Sequence, residues 1–242
     1  MADMAAERGR AASWFEGLRD RIVAAFEALD GRPAERRETR RGEDGGGGVM
    51  ATFAGGRVFE KAGVGFSTVH GALGEGARRA MAERGVPGIE ADPRFWASGV
   101  SLVAHPLSPR VPAVHLNVRM FWTPGAWWFG GGTDLNPAIE VAEDTGHFHD
   151  TLRAALLPFG AYEALKDWAD RYFFVPHRGR ARGVGGVFMD DRCTGDFEAD
   201  FALTRAIGEA FLPAWLPVAE RRLGEPWGEA ERERQLVHRG LY

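Results

Sequence analysis

Residues 99–121 read GVSLVAHPLSPRVPAVHLNVRMF, two apolar-rich runs separated by a loop that carries proline at 106, 109 and 112. Prolines at that spacing forbid a continuous helix, so the runs are predicted to be antiparallel strands joined by a longer connection. In the second run strict alternation puts His115, Asn117 and Arg119 on one face and Leu116, Val118 and Met120 on the other. In the first run Ser101 and His105 share a face. If the strands pair so that the polar faces coincide, Ser101, His105, His115, Asn117 and Arg119 form one wall, and a slip of one residue scatters them. An amphipathic strand whose polar side simply meets water shows the same pattern.

The rest of the chain divides around this centre. Trp14, Phe15, Leu18, Ile22, Phe26 and Leu29 recur every three or four positions, the spacing of one helix face, and Asp30-Gly31 ends it. Residues 31–48 have mixed charge, a glycine tail and no apolar pattern, which predicts an exposed linker. Extended segments over 49–53 and 58–66 are joined by Gly55-Gly56, a hairpin signal. Downstream, Asp144 or Thr145 is placed to cap a helix through HFHDTLRAALL. On that helix His147 and His149 point about 200° apart, so only one faces a given site. A helix over 162–172, a basic loop carrying His177, Arg178, Arg180 and Arg182, a buried strand through 187–189, and helices over 198–211 and 229–237 complete the reading.

Composition excludes some functions. With 242 residues, 45% hydrophobic and 26% charged, the chain is long enough to bury a core as a single domain. A formal net charge of −4 argues against non-specific nucleic-acid binding as the main activity. One cysteine, Cys193, forbids an intrachain disulfide and fits a reducing compartment. No apolar run reaches the roughly 20 residues of a membrane span, and no secretory leader is visible, so a cytoplasmic protein is expected.

Three constellations could carry chemistry. In WFGGGTDLNP, residues 128–137, three contiguous glycines precede Asp134. They match neither the Walker nor the dinucleotide-binding spacing. They are a flexible turn, or they let backbone approach another segment or a substrate, with Asp134 held close to it. The histidines at 105, 115, 149 and 177 come from segments that could converge, although no metal-ligand spacing is present. Arg119 lies on an otherwise apolar strand and requires an anionic partner, from the protein or from a ligand.

The strings FEKAGVGFS, GVSLVAHP, VPAVHLNVR, WWFGGGTDLNP, HFHDTL, DRYFFVPHRGRARGVGGVFMDD and RQLVHRG closely resemble, in order, the motifs of the oxygen-dependent coproporphyrinogen-III oxidase family. The resemblance runs from about Trp14 to the end of the chain. It implies an α+β fold, a large antiparallel β-sheet flanked by helices on both faces, in a homodimer. The implied reaction is oxidative decarboxylation of two propionates of coproporphyrinogen III to vinyl groups, giving protoporphyrinogen IX. Molecular oxygen would be the acceptor, with no organic cofactor and a divalent metal whose requirement is contested in the family.

Carried over by motif, His115 would be the proton donor, and Ser101 with Asn117, Val118 and Arg119 would contact substrate. Asp134 would engage the pyrrole N–H groups, and Arg178 and Arg182 would lie near the propionates. The divalent-metal positions would be His105, His115, His149 and His177. The resemblance also suggests that the glycines let the macrocycle lie close to the backbone. Family members continue beyond RGLY with further strands and much of the dimer-forming segment, so this chain is expected to lack that part. The residues also admit a non-catalytic tetrapyrrole-binding relative, or a histidine-liganded metalloenzyme acting on another anionic substrate.

Overall fold

The computed structural model describes residues 3–42 and 45–240. Its frame is a seven-stranded sheet in the order β1 (Glu35–Arg40), β2 (Gly46–Ala54), β3 (Phe59–Ala72), β4 (Arg94–Pro106), β5 (Ala113–Thr123), β6 (Ala126–Asn136) and β9 (Gly186–Arg192). Every pairing is antiparallel. A two-stranded ribbon, β7 (Phe174–Val175) and β8 (Arg180–Ala181), stands beside it. The helices are α1 (Ala5–Asp30), α2 (Glu75–Glu83), α3 (Ala142–Leu156), α4 (Tyr162–Tyr172), α5 (Phe197–Arg222) and α6 (Glu229–Gly240).

The alternation in β4 and β5 decides which face is core. Val100, Leu102 and Ala104 share the buried side with Val114, Leu116, Val118 and Met120. Against that side pack α1 and α5. Phe26 of α1 stacks on Phe59 at 4.6 Å and meets Trp215 of α5 at 5.3 Å. Trp215 is fully buried, and its indole N–H is satisfied by the Pro112 carbonyl at 3.0 Å. The opposite face is covered only in part. At one end the Arg84 guanidinium, just past α2, lies over Trp128 at 5.6 Å, and at the other Tyr172 of α4 stacks on Phe188 at 4.2 Å. The α+β sheet with helices reaching both faces is therefore present, and its half-open face is where the polar residues sit.

Several local expectations change. The stretch 31–48 is not a linker: residues 35–40 form the edge strand β1 and β2 begins at Gly46, while Glu43 and Asp44 lie outside the described residues. All six side chains of β1 are exposed, so it has no buried side to impose an apolar alternation. Helix α3 begins at Ala142 after Val141, which makes no side-chain cap. Asp144 sits in its first turn instead and binds Arg221 and Arg222 at 3.1 and 2.8 Å. Helix α5 runs on through Pro213 and Pro217 to Arg222. The Pro213 carbonyl would ordinarily accept from residue 217, which has no N–H, and His147 Nε2 donates to it at 3.0 Å. Burial of Ala214, Trp215, Val218 and Ala219 outweighs the lost helix bonds. Among the described residues no helix is long and apolar enough to cross a membrane.

Candidate functional site

The register of β4, β5 and β6 builds the site. Ser101 pairs with Asn117 and Gly99 with Arg119, so the register makes the polar faces of the two strands coincide, the condition for a single wall. On the other side His115 pairs with Asp134, Asn117 with Gly132, and Arg119 with Gly130. Ser101, His115, Asn117, Arg119 and Asp134 thus share the open face, around a cavity of about 430 Å³ that Tyr172, Phe173, Arg182 and Phe188 wall at one end. A contiguous and more apolar hollow of about 310 Å³ continues over Val49, Phe66 and Val69, with Met50, Ser101, Asn117 and Arg119 common to both.

Asp134 is the anchor. Its side chain is 2% exposed and accepts a forked pair from Arg182, Nε at 3.0 Å and Nη2 at 2.7 Å. His115 Nδ1 lies 3.3 Å from the same carboxylate and donates to it, which turns Nε2 away from Asp134. Arg182 rests on the Phe173 ring at 4.3 Å, so its fork is held by stacking as well as by charge. A second ion pair lies alongside: Arg119 Nη2 donates to Asp190 at 2.8 Å, and its Nη1 donates to Asn117 at 2.7 Å. Asp190 was not singled out in the sequence. Alternation from Phe188 places it on this face, and that is the signal that could have found it.

The glycines answer to the chain itself. A Cβ on Gly130 would stand 2.7 Å from Asp190 Oδ1 and 3.3 Å from the Arg119 guanidinium carbon. Gly131 has φ 126°, and a Cβ there would fall 1.9 Å from the Asn117 carbonyl. Pairing with β9 shifts register between Phe129 and Gly131, a bulge that turns this strand locally. Within the chain, the close approach is made by the Arg119–Asp190 pair and by neighbouring backbone.

Other expected site residues are divided by the structure. Val118 is fully buried on the core side, so only its backbone borders the site. His105 is near His115, their ring centroids 6.4 Å apart, and its Nδ1 is buried without a hydrogen-bond partner. Burial, aided by Arg239, His115 and Lys61, pushes the His105 pKa down to about 4. His149 stands apart, in α3: Nδ1 accepts from the Tyr162 hydroxyl at 2.9 Å and Nε2 donates to the Val184 carbonyl at 2.9 Å. Burial lowers its pKa as well. With both ring nitrogens engaged, His149 has no lone pair for a cation. His177 lies in the turn Pro176–Arg178. The four histidines do not form a metal centre, and among the described residues no group of three or more His, Cys, Asp or Glu is arranged to hold a metal ion. Arg178 lines a different cavity from Arg182, because the turn at Gly179, φ 62°, separates them.

Fold and site define a class: an antiparallel α+β protein with two balanced ion pairs on the half-open face of its sheet, beside an apolar hollow. Residues 10–242 match the family model described as coproporphyrinogen III oxidase. The chain belongs to the coproporphyrinogen III oxidase family. Membership places it among the oxidoreductases of haem and porphyrin biosynthesis that act on coproporphyrinogen.

Proposed function

We propose that the chain carries out the oxygen-dependent oxidative decarboxylation of two propionates of coproporphyrinogen III, giving protoporphyrinogen IX. Each propionate reacts as R–CH2–CH2–COO⁻ + O2 + H⁺ → R–CH=CH2 + CO2 + H2O2. The substrate loses two electrons and oxygen gains them. The C–C bond to the carboxylate and one C–H bond on the ring-side carbon break as the C=C bond forms, and the hydrogen lost there ends, with the one proton consumed, in H2O2.

The observation that carries this reading is the His115–Asp134–Arg182 cluster, whose members fit the three demands of the reaction. A porphyrinogen is a flexible macrocycle with an apolar body, inward N–H groups and carboxylates at its edge. The apolar hollow beside Met50 and Phe66 suits the body, and Ser101 and Asn117 offer polar contacts to its periphery. Arg182 exchanges Asp134 for the reacting propionate, one carboxylate for another. The lone pairs released on Asp134 then accept pyrrole N–H groups, which favours the electron-rich ring that oxygen attacks. His115, held through Nδ1, directs Nε2 to deliver the proton. Arg119, fixed by Asp190 and Asn117, orients a second carboxylate. Action as a homodimer in the cytoplasm belongs to the same proposal, supported by the family resemblance alone.

The test is an assay with coproporphyrinogen III under air and under nitrogen, following vinyl product by fluorescence after oxidation, together with oxygen uptake. Product under air only, with one oxygen consumed per vinyl group, is the expected result. Folded protein that turns over nothing under air, or that forms vinyl product under nitrogen, overturns the reading.

A further inference from the structure

Beyond the end of β6 lies a second cavity, of about 690 Å³, which shares no lining residue with the Asp134 site. The two are partitioned by backbone: Leu135 N–H donates to the Gly185 carbonyl and Val184 N–H to that of Leu135, both at 3.0 Å. Three guanidinium groups stand on the wall of the second cavity, Arg178 and Arg180 from the turn into β8 and Arg234 from α6. None of the three has a carboxylate partner or a side-chain hydrogen bond among the described residues. Arg119 and Arg182, by contrast, are each paired with an aspartate. Glu140 and Glu233 also line the cavity, without closing on these arginines.

His238 borders the same cavity. Its Nε2 donates to Asn136 Oδ1 at 2.7 Å, and its pKa is pushed down to about 4 by burial and then by Arg178, Arg180 and Arg239. Unpaired guanidiniums repel one another, and a fold that brings three of them to one concave wall gains from an anion placed between them. The volume falls within the roughly 300–1,000 Å³ of small-molecule sites.

We propose that this cavity is a second anion-binding site, separate from the Asp134 site, that takes a small polyanion carrying phosphate or carboxylate groups. Arg178, Arg180 and Arg234 grip its oxygens, and Glu140 and Glu233 meet its hydroxyl or other donor groups. The inference stands whether or not the proposed reaction does.

The probe is pyrophosphate, titrated calorimetrically into the full chain at fixed ionic strength. Saturable one-to-one binding is expected, weakened at least tenfold in Arg180→Gln/Arg234→Gln, whose side chains are exposed and leave the core untouched. Glu233→Gln should tighten binding severalfold, a gain that misfolding cannot mimic. Coproporphyrinogen III, added to saturation under nitrogen, should leave pyrophosphate affinity within about twofold. Absence of saturable binding overturns the proposal, as does equal affinity in the double arginine variant. Displacement of pyrophosphate by the porphyrinogen overturns it too, since the cavity would then be the rim of the substrate site.

Discussion

Asp134→Asn tests the centre of the site with the least change in shape. The wild-type carboxylate is 2% exposed and accepts from Arg182 at 3.0 and 2.7 Å and from His115 at 3.3 Å. Asparagine keeps the volume and one acceptor oxygen, loses the charge, and turns an NH2 toward one of the two donors. Hydrogen bonds to a charged group contribute about 1.5–3 kcal/mol each. Arg182 is 22% exposed and keeps its stack on Phe173, so solvent recovers part of that loss. A net cost of about 2–3 kcal/mol follows, read as a Tm lowered by roughly 5–10 °C in a domain of this size. The effect on turnover should be larger. If Asp134 accepts ring N–H groups as charge develops, its neutralisation should lower kcat by about 10²–10³, the scale of one lost oxyanion-type contact. KM should move by less than about threefold, because Ser101, Asn117 and Arg119 remain. Steady-state oxygen uptake well below the variant's Tm separates the two parameters. A kcat within threefold of wild type, or a loss confined to KM, refutes the assigned role.

Arg182→Lys keeps the charge but not the fork, and should raise KM about tenfold with a smaller loss in kcat; a pure kcat effect would count against its contact with the propionate. Asp190→Asn should loosen Arg119 and weaken coproporphyrinogen binding about tenfold, measured under nitrogen by equilibrium titration, while Tm shifts little because the pair is about one-third exposed. Gly131→Ala should destabilise by more than about 3 kcal/mol in chemical denaturation, given its φ of 126° and a Cβ 1.9 Å from a carbonyl. His105 and His238 have pKa values depressed to about 4 in the folded chain, so the unfolded chain binds more protons between about pH 6.5 and 4. Stability is fully present above pH 6.5 and falls as pH drops toward 4, by about 1–2 kcal/mol per histidine after allowance for solvent screening. His238→Gln should flatten the urea midpoint against pH across that window, and an unchanged slope would refute the assignment.

The central strands were legible because their signals are local. Alternation set the sides of β4 and β5 and the proline loop their antiparallel sense, while the register that places Ser101 opposite Asn117, and so gathers Ser101, His115, Asn117 and Arg119 on one surface, is given by the structure. What local pattern could not reach was set by partners distant in sequence. What Gly130 makes room for within the chain is Asp190, sixty positions on, which closes on Arg119 through the vacant Cβ position. That only one of His147 and His149 can face a given site follows from helical spacing, but which one does, and what each binds, depends on Pro213 and on Tyr162 with Val184. The edge strand β1 gave no signal because exposed residues on both sides carry no period. Arg178 and Arg182 lie four positions apart in a motif that reads as one basic loop, yet a single left-handed glycine between them directs them to different cavities.

The pairing of charges on the open face bears on how an anionic substrate could enter. A bare guanidinium on a half-buried sheet would be costly to desolvate, and a bare carboxylate equally so. Here each is balanced, Arg182 by Asp134 and Arg119 by Asp190, on a face whose other polar groups, Ser101, His115 and Asn117, stand among apolar and glycine residues. Binding a carboxylate then requires no new buried charge on the protein, only a change of partner by a cation already in place and already oriented by Phe173 or Asn117. The displaced aspartate is left needing neutral donors, and inward-facing N–H groups supply them only if the ligand carries both features at the right separation. A simple fatty acid offers the carboxylate without the donors, and an unsubstituted pyrrole offers the donors without the carboxylate. Selectivity on such a face comes from requiring the two together, since either alone leaves one member of a broken ion pair unsatisfied.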